Sequence, residues 1–144
     1  MTALYLFDTD HIFLLQRRHP SVISRIASLP PEAIAVSIVS AMEQTRGRLA
    51  QVHRAQTASE VVNAFARFQE VLHFYRTVPI LPYDAAAAEQ FVRLRQRHPQ
   101  RPGTQDLRIA AIALHRGAIV VTRNHRDFAR VAGLQIEDWS VALM

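Results

Sequence analysis

Short apolar runs alternate with helix-length segments along this chain, and this alternation limits the possible folds more than any other feature. Strand-like runs cover residues 4–7, 34–39, 78–81, 119–121 and 134–136. Helix-like segments separate them, and such alternation is typical of an α/β domain with a mostly parallel sheet. The run at 119–121 is apolar throughout, as expected of a central strand that is buried on both faces.

The helix-like segments have recognisable ends. One begins near Asp10, is interrupted near Pro20 and stops at Pro30. Ser40 is predicted to begin the next helix, which extends to about residue 53. Asp84 is expected to cap a helix that reaches the nineties, and a further helix is expected from residue 104 or 105 to residue 115. Gly117 is predicted to end that helix.

The segment 58–76 is predicted to form a long helix with one buried face. Large apolar side chains recur in it at three- and four-residue spacing, which is the pattern of a single buried stripe. The members of the predicted stripe are Val61, Phe65, Phe68, Leu72 and Tyr75.

Length and composition favour one compact domain over residues 1–144. The chain has no cysteine, which excludes disulfides and thiolate metal sites. No apolar run approaches the roughly 18 residues of a membrane span, and the first residues do not resemble a signal peptide. A cytoplasmic protein with no membrane association is therefore expected. The formal net charge of +5 comes from arginine alone, without lysine, and favours anionic partners.

Four carboxylates lie where predicted strands give way to helices. Asp8 directly follows the first run, whereas Glu43 and Asp127 lie in the first turns of helices that follow strands. Asp106 lies in the first turn of the helix that leads into the run at 119–121. Ligands of open parallel sheets bind beyond the carboxyl ends of the strands. We therefore predict that the four acids converge on one edge of the sheet.

Clustered carboxylates are unfavourable unless a positive group compensates them. Oxygen ligands without sulfur, together with histidines that lack ligand-like spacing, favour Mg²⁺ or Mn²⁺. The four acids are therefore predicted to be both metal ligands and catalytic residues of a metal-dependent phosphodiesterase, in which the cation activates a water molecule. One cation and two cations are both compatible with these residues. His11 and His125 border the acids and are secondary candidates for substrate contact.

Each of the four acids has a competing structural explanation. Residues 40–43 match the S-x-x-E capping box, in which Glu43 would bond to the start of its own helix. Asn124 precedes Asp127 at a capping distance, so either of the two could face the cluster. Residues 8–10 (DTD) could merely cap the helix after the first strand; Asp10 could do so alone, which would leave Asp8 for the metal. Asp106 could simply complement the dipole of its own helix.

Four stretches occur in order along the chain: residues 6–10 (LFDTD), 40–43 (SAME) with a glycine four residues on, 106–113 (DLRIAAIA) and 121–128 (VTRNHRDF). Together they resemble the PIN-domain ribonucleases, in particular the VapC-type toxins of bacterial toxin–antitoxin pairs. Residues 133–139 also look like that family's tail. The resemblance spans nearly the whole chain and implies one PIN-like domain with three α/β/α layers.

The resemblance implies a Mg²⁺- or Mn²⁺-dependent endoribonuclease that hydrolyses RNA phosphodiester bonds. It carries metal ligation onto the four acids and supporting roles onto Thr9 and Asn124. Asp10 departs from the asparagine that is frequent in the family and adds negative charge. A small antitoxin that blocks the acidic cleft, and a homodimer, are also implied. Arg123 and Arg126 flank the fourth acid and are expected to contact the phosphate backbone of RNA.

Two alternatives remain open at this stage. A phosphatase of the haloacid-dehalogenase type would use Asp8 as nucleophile, because residues 4–10 resemble its strand followed by D-x-D. The lysine that this class requires is absent, and Ile12 stands where a hydroxyl residue is expected. A catalytically silent PIN module that only binds RNA is the second alternative, although all four acidic positions are filled.

Overall fold

A parallel sheet of five short strands forms the centre of the molecule in the computed structural model, which describes residues 3–142. The strands are β1 (Tyr5–Phe7), β2 (Ile34–Ser37), β3 (Ile80–Leu81), β4 (Ile119–Val121) and β5 (Ile136–Glu137). Their order across the sheet is β3-β2-β1-β4-β5, and every neighbouring pair is parallel. The predicted α/β class with a mostly parallel sheet is confirmed.

Helices cover both faces of this sheet. They are α1 (Thr9–Gln16), α2 (Pro20–Ala27), α3 (Ile38–Arg54), α4 (Ala58–Thr77), α5 (Ala85–Arg97), α6 (Thr104–Arg116) and α7 (His125–Phe128). Successive strand residues point to opposite faces, so β1 contributes to two cores. Leu6 packs in the cluster that contains α6, and Phe7 packs in the cluster that contains Ile12 of α1 and Val22 of α2. The predicted α/β/α layering is confirmed.

The start of α3 differs from the prediction. Strand β2 ends at Ser37, and α3 begins at Ile38 rather than at Ser40. The Ser37 hydroxyl oxygen accepts a hydrogen bond from the backbone N–H of Ser40, so Ser37 is the N-cap. The start of the helix at Ser40 is therefore wrong, and so is the alternative in which Glu43 belongs to a capping box. The apolar run continued past the end of the strand because the first turn of α3 is itself apolar.

The buried face of α4 is also shifted from the predicted stripe. Phe65 is 56% exposed and Leu72 is 50% exposed, whereas the neighbouring Ala64 and Val71 are buried. The buried positions of α4 are thus held by smaller residues, and small side chains allow a helix to approach its neighbours closely. The large apolar residues at the same level are left on the outer face, so the prediction of one buried stripe is wrong at these two positions.

The ends of the chain lie outside the described residues, so one domain over all of residues 1–144 stays a prediction. Within residues 3–142, none of the helices combines the length and the apolar character that crossing a membrane requires.

Gly117 and Gly47 allow a matched comparison of a glycine that ends a helix with a glycine inside one. Gly117 follows α6 with φ of 64°, and a Cβ there would meet no atom within 4 Å. Gly117→Ala should therefore lower the free energy of unfolding only through the left-handed backbone, by roughly 1 to 2 kcal/mol. Gly47 lies inside α3, and its Cβ would also meet nothing. Gly47→Ala should raise the free energy of unfolding by roughly 0.5 to 1 kcal/mol. Urea unfolding measures both, and shifts of the same sign would contradict this assignment.

Candidate active site

An acidic cavity lies at the carboxyl ends of β1 and β4. The chain leaves β1 toward β2 and β3 on one side and returns to β4 and β5 on the other, so this is the point where strand order reverses and where such sheets bind ligands. The cavity has a volume of about 500 Å³. Its lining residues are Asp8, Thr9, Asp10, Phe13, Glu43, Asp106, Arg123 and Asn124. The structure thus brings three of the four predicted acids to one cavity.

Asp8 is held by hydrogen bonds on both of its oxygens. One carboxylate oxygen accepts from the backbone N–H of His11 at 2.9 Å, which makes Asp8 the N-cap of α1. The other accepts from the Thr122 hydroxyl at 2.6 Å. Of the two candidate caps, Asp8 and not Asp10 performs the capping, and Asp8 also lines the cavity.

Burial makes ionisation of Asp8 unfavourable. The residue is 5% exposed, and burial raises the pKa of its carboxyl group to about 6. The hydrogen bonds from Thr122 and His11 act in the opposite direction, while the negative charges of Asp10 and Asp106 raise the pKa further. A positive group in the cavity would remove much of this penalty.

Glu43 lies opposite Asp8 and is held across the gap between α1 and α3. The Thr9 hydroxyl donates to a Glu43 carboxylate oxygen at 2.7 Å and lies 2.9 Å from the Ser40 hydroxyl. Thr9 follows Asp8 in sequence, so the first turn of α1 orients both carboxylates. The supporting position predicted for Thr9 agrees with this geometry, although the role itself stays a prediction.

Asp106 is joined to β4 through Asn124. The Asn124 side-chain amide lies 3.4 Å from an Asp106 oxygen and 3.3 Å from an Asp127 oxygen. Burial raises the pKa of Asp106, and the nearby Glu43 and Asp127 charges add to the effect, whereas the Asn124 contact lowers it. Asn124 also donates its backbone N–H to the Thr122 hydroxyl oxygen at 2.8 Å. One short segment after β4 thus contacts Asp8 and Asp106.

Asp127 lies behind Asn124, outside the set of residues that line the cavity. Its backbone N–H donates to the Asn124 side-chain oxygen, so Asn124 caps α7 as predicted. One Asp127 carboxylate oxygen is buried without a hydrogen-bond partner and lies 3.6 Å from Arg101. Of the two candidates, Asn124 is the residue that faces the cavity. Metal ligation by Asp127 stays a prediction.

Asp10 and Arg123 form a bidentate ion pair at the mouth of the cavity. Two guanidinium nitrogens of Arg123 donate to the two Asp10 oxygens at 2.6 and 2.9 Å. Both side chains are about half exposed, and both line the cavity. Arg126 is also exposed, on α7, but it is not among the lining residues. Arg123 is therefore the arginine placed at the site.

Sequence reasoning missed Thr122 and Phe13, and it took His11 as a candidate for substrate contact although His11 does not line the cavity. Thr122 contacts Asp8 directly, and it could have been found as the polar residue that follows the apolar run at 119–121. His11 is fully buried beside Asp8, and burial lowers the pKa of its ring to about 4. Phe13 lines the cavity next to the acids. Its helical spacing alone resembles that of a core residue.

The donor set of the cavity fits a hard divalent cation. Its potential ligands are carboxylate, hydroxyl and amide oxygens, which suit Mg²⁺ or Mn²⁺. The lining holds four carboxylates and one arginine, and that arginine is paired with Asp10. In the part of the chain from 3 to 142, no three Asp, Glu or His side chains are already spaced to hold a metal ion. The chemistry of the lining fits, while the acids stand further apart than ligands do.

Comparison with known proteins agrees with this geometry. The profile of the PIN domain family matches residues 5–134. The tRNA(fMet)-specific endonuclease VapC of Shigella flexneri is 30% identical over 94% of this chain and 98% of its own length. DNA-bound VapBC from Salmonella typhimurium superposes with a TM-score of 0.76 at 27% identity, covering 96% of this chain and 99% of that chain. Ribonuclease VapC1 of Haemophilus influenzae strain R2866 is 26% identical over 95% of this chain and 98% of its own.

The chain therefore belongs to the PIN-domain family. Its relatives place it more narrowly among the VapC-type endoribonuclease toxins of toxin–antitoxin pairs. This excludes the haloacid-dehalogenase-type phosphatase. The second aspartate of that proposed D-x-D motif, Asp10, is instead an exposed partner of Arg123.

The buried charge of Asp8 predicts an unusual effect on stability. Folding raises the pKa of Asp8 from 3.8 to about 6. The free energy of unfolding therefore carries the full penalty for the charge above pH 6, and almost none below pH 4, where the carboxyl group is protonated in both states. Asp8→Asn should therefore raise the free energy of unfolding at pH 7.5 by roughly 1 to 2 kcal/mol in EDTA. The gain should shrink toward pH 4, and urea unfolding at both pH values measures it.

Asp84→Asn is the matched control. Asp84 caps α5 as Asp8 caps α1, but a hydrogen bond from the backbone N–H of Ala87 lowers the pKa of its exposed carboxyl group. Asp84→Asn should therefore give no gain in stability at pH 7.5. A loss of stability in Asp8→Asn under the same conditions would contradict the assigned burial penalty.

Proposed function

We propose that this endoribonuclease toxin is Mg²⁺- or Mn²⁺-dependent, and that Asp8, Glu43 and Asp106 hold the cation. The observation that carries the proposal is the burial of the Asp8 carboxylate beside two further acids in a cavity lined with oxygen donors. A hydrogen bond from Thr9 restrains Glu43, and one from Asn124 restrains Asp106. A small movement of either carboxylate would change its hydrogen bond. Asp127 is proposed as a more distant fourth acid.

The side chains of the site divide the work between binding and orientation. When bound, a divalent cation supplies polarisation of the phosphate and a nucleophilic water at neutral pH. Thr122 and the backbone of His11 orient Asp8, Thr9 orients Glu43, and Asn124 orients Asp106. These hydrogen bonds preorganise the carboxylates. Because the cation would supply the nucleophilic water, the site needs no nucleophile from the protein.

The RNA backbone is proposed to meet Arg123 at the mouth of the cavity. An exposed ion pair contributes little to stability, so Arg123 can exchange Asp10 for a phosphate at low cost. Arg126, on the exposed side of α7, is proposed as a second phosphate contact. Such contacts give affinity without sequence choice. The Shigella relative is specific for tRNA(fMet), which supports a structured RNA as substrate, and recognition would then depend on exposed bases of a loop.

A cognate antitoxin and a homodimer are the proposed protein partners. The Salmonella relative was solved as a VapBC complex bound to DNA, which supports an antitoxin for this chain. We propose that it covers the acidic cavity, where an arginine would meet unpaired carboxylates. The outer face of α4 exposes Val62, Phe65 and Leu72. These apolar side chains are candidates for the contact between subunits.

Removal of the metal is expected to stop cleavage. Purified protein without antitoxin should cut structured RNA with Mg²⁺ or Mn²⁺ and lose this activity in EDTA. Asp8→Asn and Asp106→Asn should each lower the rate at least about 100-fold, because each removes a charge from the cation site. A gel assay of labelled RNA measures the rate, and Asp84→Asn is the control with a carboxylate lost far from the cavity.

Full activity of Asp8→Asn or Asp106→Asn would contradict the metal assignment. RNA binding by the wild-type protein without cleavage under any divalent cation would instead favour the silent binding module.

Opposite effects are expected from the two members of the surface ion pair. Arg123→Gln should weaken RNA binding several-fold and reduce its salt dependence by about one phosphate contact. Asp10→Asn should strengthen binding, because it frees Arg123 and removes a negative charge. Fluorescence titrations at several salt concentrations, with EDTA present to prevent cleavage, measure both. Weaker binding in both variants would show that the pair serves structure rather than RNA contact.

A further inference from the structure

His11 is a buried polar residue that the proposed chemistry does not yet use. It is fully buried beside Asp8 and is not among the residues that line the cavity. Its ring packs edge-on against Phe7 at 5.8 Å, in the same cluster as Trp139. Both ring nitrogens of a histidine are strong hydrogen-bonding groups, so their burial in such an apolar environment requires partners.

One ring nitrogen is fixed by the segment after β5. The backbone N–H of Trp139 donates to Nε2 of His11 at 3.2 Å. A nitrogen that accepts a hydrogen bond carries no proton, so the ring proton must lie on Nδ1 and the ring is neutral. The nearby Asp138 oxygen, 3.6 Å from Nε2, is already used by the backbone and hydroxyl of Ser140. The contacts therefore specify one tautomer.

The other ring nitrogen faces the proposed metal ligand. Nδ1 of His11 is buried, has no hydrogen-bond partner, and lies 3.8 Å from an Asp8 carboxylate oxygen. A buried N–H without a partner is costly, and here its positive end lies beside a buried negative charge. The two Asp8 oxygens already accept from the His11 backbone and from Thr122.

We propose that His11 is a positioning residue for Asp8, fixed by Trp139 as the Nδ1–H tautomer so that its N–H holds the carboxylate in orientation for a divalent cation. This inference rests on the proposed metal site. Asp8 has about four lone-pair directions. Two are occupied by hydrogen bonds, and the Nδ1–H dipole of His11, 3.8 Å from one oxygen, acts on the carboxylate as an electrostatic contact without filling a third. The segment after β5 thereby acts on the site without touching it.

Two amide substitutions separate this role from a structural one. Asparagine can place an amide N–H near the position of Nδ1, but it cannot reach Trp139. Glutamine can place an acceptor near the position of Nε2 and keep the Trp139 bond, but it offers no N–H to Asp8. His11→Asn and His11→Gln thus each retain one half of the histidine.

The proposal predicts that the two variants differ in opposite ways. His11→Gln should stay close to the wild type in thermal stability while its Mn²⁺ affinity falls about 10-fold. His11→Asn should lose stability but keep a Mn²⁺ affinity within about 3-fold of the wild type. Calorimetric titration with Mn²⁺ and thermal unfolding in EDTA measure the two quantities. Wild-type Mn²⁺ affinity in His11→Gln would overturn the proposal, because it would show that only the Trp139 bond matters.

The tautomer gives a readout that needs neither a variant nor a metal. In ¹⁵N-labelled wild-type protein in EDTA, long-range ¹H–¹⁵N correlation of the His11 ring should show a proton on Nδ1 and none on Nε2. A proton on Nε2 would overturn the proposal even if His11→Asn fails to fold.

Different results would overturn the proposed metal site. They are a wild-type protein that does not bind Mn²⁺, or Asp8→Asn protein that binds Mn²⁺ as tightly as the wild type. Failure of the His11 inference alone would leave Mn²⁺ binding dependent on Asp8 and unaffected by His11→Gln.

Discussion

A carboxylate that is 5% exposed ends the central strand of the sheet, and most features of the cavity follow from its burial. β1 lies between β2 and β4, and Asp8 at its end is buried. The fold supplies hydrogen bonds from the Thr122 hydroxyl and the His11 backbone, yet burial still raises the pKa of Asp8 to about 6. The strand order that buries this carboxylate also opens a cavity beside it, where a cation can compensate the charge.

Hydrogen bonds connect the buried site to distant parts of the chain. Asp8 and Thr9 start α1 and reach Glu43 on α3, while Thr122 and Asn124 follow β4 and reach Asp106 on α6. Each acid is therefore oriented by an element other than its own. A change in the packing of these helices against the sheet would alter the distances between the carboxylates.

Much of this arrangement could be predicted from the sequence because it depends on local patterns. Apolar runs specified the strands, and their parallel order brought Asp8, Glu43 and Asp106 to one edge. The exact start of α3, the choice of Asp8 rather than Asp10 as the cap of α1 and the exposure of Phe65 depend on which neighbour packs where, and periodicity does not contain that information. The same holds for His11, because its partners Trp139 and Asp8 are far apart in sequence and meet only in the folded chain.

The position of a bound divalent cation is the most direct test of the proposed site. A crystal of the antitoxin-free protein soaked in Mn²⁺, measured for anomalous scattering, tests this directly. The expected result is an anomalous peak in the acidic cavity with ligand oxygens from Asp8, Glu43 and Asp106. A peak that lies elsewhere on the molecule, with none beside Asp8 at saturating Mn²⁺, would contradict it.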